Sequence, residues 1–172
     1  MEITRIGPDD WEQFRAVRLA SLSESPHAFG SRHADWVDAP VERWRSRLTQ
    51  VPVTILAHEE GVVRGVVSGQ PADETWVELI SMWVAPEVRG TGLARRLIGA
   101  VADWAAGQGR QTYLMVRADN DRARRAYERV GFVDTGVPQG WPADEAPEHR
   151  MELRPAPRWV RSGDGWDPRH RP

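Results

Sequence analysis

The sequence predicts one α/β domain on a sheet of mixed, mostly antiparallel direction, with about seven strands and helices on both faces. Three observations predict it. Apolar runs of strand length alternate with segments of helical period up to residue 154. The turn Glu59-Glu60-Gly61 joins two such runs as an antiparallel hairpin. A longer run over 75–84, apolar on both faces, leads through a glycine-rich turn into a helix, as a central strand with a parallel crossover does.

Each element has a local reason. Residues 3–6 form a short strand, after which Pro8, Asp9 and Asp10 supply the proline and acidic first turn of a helix. Trp11, Phe14, Val17 and Leu22 give that helix an apolar face; Ser25, Pro26 and Gly30 end it, and a second helix covers 41–48. Residues 53–57 and 62–67 are the hairpin strands. In 75–84, alternation puts Val77, Leu79 and Trp83 on one face and Ile80, Met82 and Val84 on the other. The following helix carries Leu93, Leu97, Val101 and Ala105 at four-residue steps and stops near Gly107 and Gly109. Residues 113–116 form a strand, and Asp119 or Asn120 caps a helix with inner face Ala123, Ala126, Tyr127 and Val130 and stop at Gly131. Strands at 132–135 and 149–153, separated by a Pro- and Gly-rich excursion around Trp141, complete the sheet.

The segment from Met82 to Ala94, MWVAPEVRGTGLA, is suited to a pyrophosphate. The first N–H groups of a helix have no intrahelical partner, and the macrodipole adds positive charge there. Gly90 and Gly92 let the backbone approach phosphate oxygens, Ala94 is nearly as small, and Arg89 offers a planar cationic fork. A Walker loop would need Lys-Ser/Thr after its last glycine, where Leu93 and Ala94 stand; a dinucleotide fingerprint needs a small residue where Arg95 stands.

Arg89-x-x-Gly92-x-Ala94, after a valine-ended strand, resembles the acyl-CoA loop of the GCN5-related N-acetyltransferase (GNAT) superfamily. The later run NDRARRAYERVGF, Asn120 to Phe132, resembles the same family's Asn-x-x-Ala…Tyr-x-x-x-Gly-Phe helix. The resemblance covers most of 1–154 and implies the GNAT fold, whose central strands splay to admit acetyl-CoA. It implies that Arg89, Gly90, Thr91, Gly92, Leu93 and Ala94 hold the pyrophosphate. It also implies that Met82, Trp83 and Val84 flank the pantetheine arm and that Asn120 and Tyr127 touch the cofactor.

At pH 7 fewer than roughly one in a thousand amines of pKa about 10.4 is unprotonated, so transfer to an amine needs a proton acceptor. Glu78 is the carboxylate inside the central strand, and related sequences often carry a glutamate six positions before the valine matched by Val84. A structural pairing with arginine or water is the alternative. Tyr127, two helical turns from Asn120, is placed to protonate the departing thiolate, a role its counterpart often has in the family; a packing role is the alternative. Phe29 and Trp36 flank a region that often lines the acceptor pocket in related enzymes, and with Glu78 they are the acceptor-binding candidates.

Composition narrows the rest. There is no cysteine, which excludes a cysteine acyl-enzyme, and all 23 Lys/Arg positions are arginine, which excludes a lysine Schiff base. His27, His33, His58, His149 and His170 have no metal-ligand spacing, so no metal is expected. A net charge of −2 without a basic aromatic stripe points away from nucleic acid. The N-terminus has no signal pattern and no run reaches a membrane span, so a cytoplasmic protein is expected.

The expected activity is acetyl-CoA-dependent N-acetylation of a primary amine of a small molecule by direct attack in a ternary complex. A peptide or protein amine is the second candidate, and a non-catalytic acyl-CoA sensor the third. Residues 155–172 form a Pro/Arg-rich tail on which Trp159 and Trp166 are expected to anchor to the domain or a partner subunit; homodimerisation is an expectation from the family and this tail.

Overall fold

The computed structural model describes residues 1–154; the tail at 155–172, with its expected anchors Trp159 and Trp166, lies outside the described residues. In chain order the elements are β1 (Glu2–Arg5), α1 (Trp11–Glu24), α2 (Val41–Gln50), β2 (Val53–Glu59), β3 (Val62–Pro71) and β4 (Trp76–Val84). They continue as α3 (Leu93–Ala106), β5 (Gln111–Arg117), α4 (Asp121–Arg129), β6 (Phe132–Gly136) and β7 (Glu148–Leu153). The seven strands form one sheet in the order β1-β2-β3-β4-β5-β7-β6, antiparallel throughout except for the β4–β5 pair.

The β2–β3 hairpin closes through Glu60 and Gly61 at φ 51° and 79°, the left-handed pair that a two-residue turn needs to match strand twist. α3 packs on one face through buried Leu93, Leu97, Val101 and Ala105. It sits so close that a Cβ at Gly69 would lie 2.7 Å from Val101 Cγ1 and 2.9 Å from Val53 Cγ1. α1 and α2 cover the opposite face, burying Phe14, Val17, Leu22, Trp44 and Leu48.

The face assignment read from alternation in β4 changes at its second half. Ile80 pairs Ser68 but Trp83 pairs Val66, so β4 carries one extra residue there, with Ser81 at φ 56°. This bulge reverses the parity. Trp83 therefore joins the face of Glu78 and Ile80, toward α1 and α2, and Val84 joins Val77 and Leu79 toward α3. The inner face expected of α4 is the one that meets the sheet: Ala123, Tyr127 and Val130 are partly buried against the core, and with Ala126 they also line a cavity.

Candidate active site

The parallel pairing of β4 with β5 stops at Glu78 and Tyr113. Beyond it β5 stays paired to β7, from Tyr113–Glu152 to Arg117–Glu148, while β4 stays paired to β3. The two strands therefore diverge, and a cavity of about 440 Å³ opens between Met82–Val84 and Met115–Arg117. Backbone groups of β4 that would otherwise join β5 face this gap, where they can bind an extended polar chain.

α3 begins at one end of the gap. Gly90 and Gly92 have φ of 83° and 85°, and a Cβ on either would meet nothing within 4 Å. Conformation, not space, is what demands glycine there. Among the described residues the N–H groups from Gly90 to Arg95 find no backbone acceptor, and α3 has no side-chain cap. Arg95, Arg122 and Arg129 line the adjoining cleft. Unpartnered N–H groups at a helix start beside three guanidiniums fit a pyrophosphate-bearing ligand. Thr91 instead turns its hydroxyl inward, donating to the Val88 carbonyl at 2.7 Å.

Arg89 is engaged with the protein. Its Nε donates to the Val84 carbonyl at 3.0 Å and its Nη2 to Glu24 Oε2 at 2.8 Å. Trp83 Nε1 donates to the same carboxylate oxygen at 3.0 Å, and Ser25 Oγ also donates to Glu24. Hydrogen bonds from Arg89, Ser25 and Trp83 together hold the Glu24 carboxyl down to about 2. The Arg89 side chain thus ties the loop to the end of α1 while it also lines the cavity and the cleft beside Gly90 and Gly92. Glu24 was not a candidate from sequence, because the contact joins residues 65 apart.

Immediately after Glu24, Ser25 to Gly30 run along the same cavity. Phe29 lines it and is held from behind by the Arg18 guanidinium, 4.7 Å from the ring centroid. Trp36 does not line it. It packs on Trp44 at 4.7 Å between ring centroids, and the Arg43 guanidinium lies over its ring at 4.5 Å.

Asn120 and Tyr127 both line the cavity. Asn120 Oδ1 accepts from the Ala123 N–H at 3.1 Å, so Asn120, not Asp119, caps α4. Tyr127 stands edge-on to Phe132 at 5.6 Å, and burial pushes its phenol up to about 12. Glu78 sits at the last paired position, the closed end of the splay, where Gln70 Nε2 donates to it at 3.0 Å; it is not a lining residue.

A different carboxylate is. Glu148, at the start of β7, lines the cavity, and its side chain has no hydrogen-bond or ion-pair partner among the described residues. Burial raises its pKa above the usual carboxylate range, the negative charges of Glu78 and Glu145 add to this, and Arg117 opposes it. No spacing in the sequence marks Glu148, since only the β5–β7 register brings it beside Arg117 and into the gap.

A splayed sheet whose gap is closed at Glu78 and Tyr113 and meets a glycine-started helix at its other end is the geometry of an acyl-CoA-binding transferase. Residues 11–132 match the acetyltransferase (GNAT) family. An uncharacterized N-acetyltransferase of Mycobacterium bovis is 32% identical over 129 residues, covering 71% of this chain and 81% of that protein. An uncharacterized protein of Mycobacterium leprae is 41% identical over 75 residues, 43% of this chain, and the match spans only 20% of that longer protein. Among solved structures, a GNAT-family acetyltransferase from Streptococcus pneumoniae superposes with a TM-score of 0.69 at 20% identity, covering 89% of this chain and 99% of the other. PaiA N-acetyltransferase from Thermoplasma acidophilum, in complex with coenzyme A, gives 0.67 at 15% identity over 89% and 98%. The chain belongs to the GNAT family. It is an acetyl-CoA-dependent acetyltransferase, and the fold of residues 1–154 is the one its two motifs implied.

Proposed function

We propose that the acceptor is a primary amine of a small molecule, acetylated by direct attack while acetyl-CoA lies in the splay. One observation carries this reading: Ser25 to Gly30 line the same cavity as Met82 to Val84 and Tyr127, so the segment after α1 forms a roof over the reacting end. With acetyl-CoA in the splay, the space left beside that segment suits a compact acceptor better than an extended chain.

Acetyl-CoA bound here supplies the thioester; this chain's residues supply orientation and proton traffic. The N–H groups from Gly90 to Arg95, with Arg95, Arg122 and Arg129 nearby, hold the phosphates. Met82 and Val84 offer backbone donors to the carbonyl oxygen. Glu148 takes the proton that the ammonium must lose, in place of Glu78, because it faces the cavity and has a free carboxylate. Glu78 acts through it, as a neighbouring charge that keeps Glu148 basic. Tyr127, held as a neutral phenol, gives its proton to the leaving sulfur.

The acceptor's place under the roof is tested by Phe29→Ala. The reading predicts an amine KM raised about tenfold, with the KM for acetyl-CoA within about twofold. An amine KM that does not move would remove Phe29 from the acceptor site.

A further inference from the structure

Arg117 and Glu148 stand directly opposite each other in the antiparallel β5–β7 ladder, and both line the cavity. Just past that pair the Ala118 N–H donates to the Pro147 carbonyl at 2.9 Å, so the backbone register is held on that side of it. Side chains placed this way have Cβ atoms about 5 Å apart, and opposite charges there ordinarily pair. These two do not. Arg117 turns along its own chain and forks onto Asp119, with Nε donating to Oδ1 at 3.0 Å and Nη2 to Oδ2 at 2.7 Å. Glu148 is left without an ion-pair partner among the described residues.

The fork has a local cause. Beyond β5 the chain turns, with the Asn120 N–H donating to the Arg117 carbonyl at 2.9 Å, and the turn carries Asp119 back to the guanidinium. Two parallel N–H···O contacts fix that guanidinium in direction as well as in place. The Asp119 carboxyl is held below the ordinary range chiefly by Arg117, and His27 on the roof adds a smaller pull. The two side chains are 43% and 69% exposed, so solvent screens the pair and it adds little to stability. Its consequence lies in which of two carboxylates Arg117 takes. Around Glu148, burial raises the pKa first, Glu78 of β4 and Glu145 before β7 add to it, and Arg117 opposes them. Tyr127 of α4 and His27 line the same cavity, while Asp121, the next acid after Asp119, is taken by Arg124.

We propose that Asp119 is a positioning residue for the transfer: by holding the Arg117 guanidinium along β5 it keeps that cation off Glu148, which stays free to take the proton of the acceptor ammonium. This rests on the reading of Glu148 as the proton acceptor. Without the Asp119 charge, Arg117 has the directly opposed Glu148 as its partner. An ion pair favours the ionised carboxylate and lowers its pKa. The carboxylate then stays ionised to lower pH but is a weaker acceptor for the ammonium proton. Loss of Asp119 therefore moves the acid limb of the rate profile down and lowers its plateau, and loss of Arg117 as well undoes both.

The test compares wild type with Asp119→Asn, Arg117→Met and the double variant, by a direct titration and by kinetics. In the full chain labelled with ¹³C at glutamate carboxyls, the Glu148 resonance is identified by its loss in Glu148→Gln and followed from about pH 3 to about pH 8. Its midpoint should fall by about one pH unit in Asp119→Asn and return to the wild-type value or above in the double variant. With acetyl-CoA and 1,5-diaminopentane as probe amine, kcat at neutral pH should fall about threefold to tenfold in Asp119→Asn, with the KM for acetyl-CoA within about twofold. The double variant should match Arg117→Met alone, the non-additivity expected of two residues acting through one contact. A Glu148 midpoint that does not move in Asp119→Asn overturns the proposal. So does a loss of activity that Arg117→Met fails to restore, which would make Asp119 only a structural part of the entry to α4. If the midpoints shift as expected while Glu148→Gln keeps the acid limb, it is the reading of Glu148 as proton acceptor that fails, and the hold of Asp119 on Arg117 stands. If wild type leaves the probe amine unmodified, the titration alone decides that hold.

Discussion

Glu148 and Tyr127 reach one cavity from β7 and α4, and burial raises the pKa of both, which keeps the carboxylate more basic and the phenol protonated. A carboxylate raised by burial is a better proton acceptor than a solvated one. It accepts only while ionised, so kcat/KM should fall as pH drops through its raised pKa. Glu148→Gln should remove that acid limb and lower kcat about 100-fold or more, whereas Glu78→Gln should move the limb to lower pH; initial rates of thiol release across pH check both. Tyr127, pushed up to about 12, remains a proton donor across the neutral range. Its ionisation should therefore add no basic limb below about pH 10, and Tyr127→Phe should lower kcat about tenfold or more with acetyl-CoA affinity kept. The place of Tyr127 beside Asn120 on the cavity was legible in the sequence because their spacing is local to one helix. Glu148 was not, because a strand register outside any motif puts it in the site.

At the scale of elements, the loop before α3 and the end of α1 hold each other through Glu24. The carboxyl is depressed to about 2, so the folded state binds its proton less readily than the unfolded state does. Its contribution is present above the usual carboxylate pKa and is lost as pH falls through the folded value. Melting curves of Glu24→Gln should therefore converge on wild type toward pH 2 and differ from it at pH 5 and above. In the sheet, Gly69→Ala must displace Val101 and Val53 and should cost about 1–3 kcal/mol in denaturant melts. The glycines before α3 could be read from sequence because the backbone itself demands them, at φ 83° and 85°. The β4 bulge could not. The run from Trp76 to Val84 is apolar on both faces, so alternation holds no signal for an extra residue, and the faces of Trp83 and Val84 were misassigned. Trp36 was drawn to the acceptor site by its place in the chain, whereas its ring is taken up by Trp44 and Arg43.

For the whole molecule, the active site exists because the sheet does not close. Alternation, turn chemistry and two motifs carried the element order and the family, since those depend on local spacing and on backbone conformations few residues adopt. The contents of the gap depend on long-range register and on how α1 and α2 meet the sheet, which local spacing does not encode. Among the described residues no helix is long and apolar enough to cross a membrane, and no cluster of three metal-ligating side chains is present. The most direct test incubates the full chain with acetyl-CoA and a panel of small amines and short peptides, detecting products by mass. The account predicts an N-acetylated small amine formed in step with free CoA. Acetylated peptides with every small amine unmodified would contradict it.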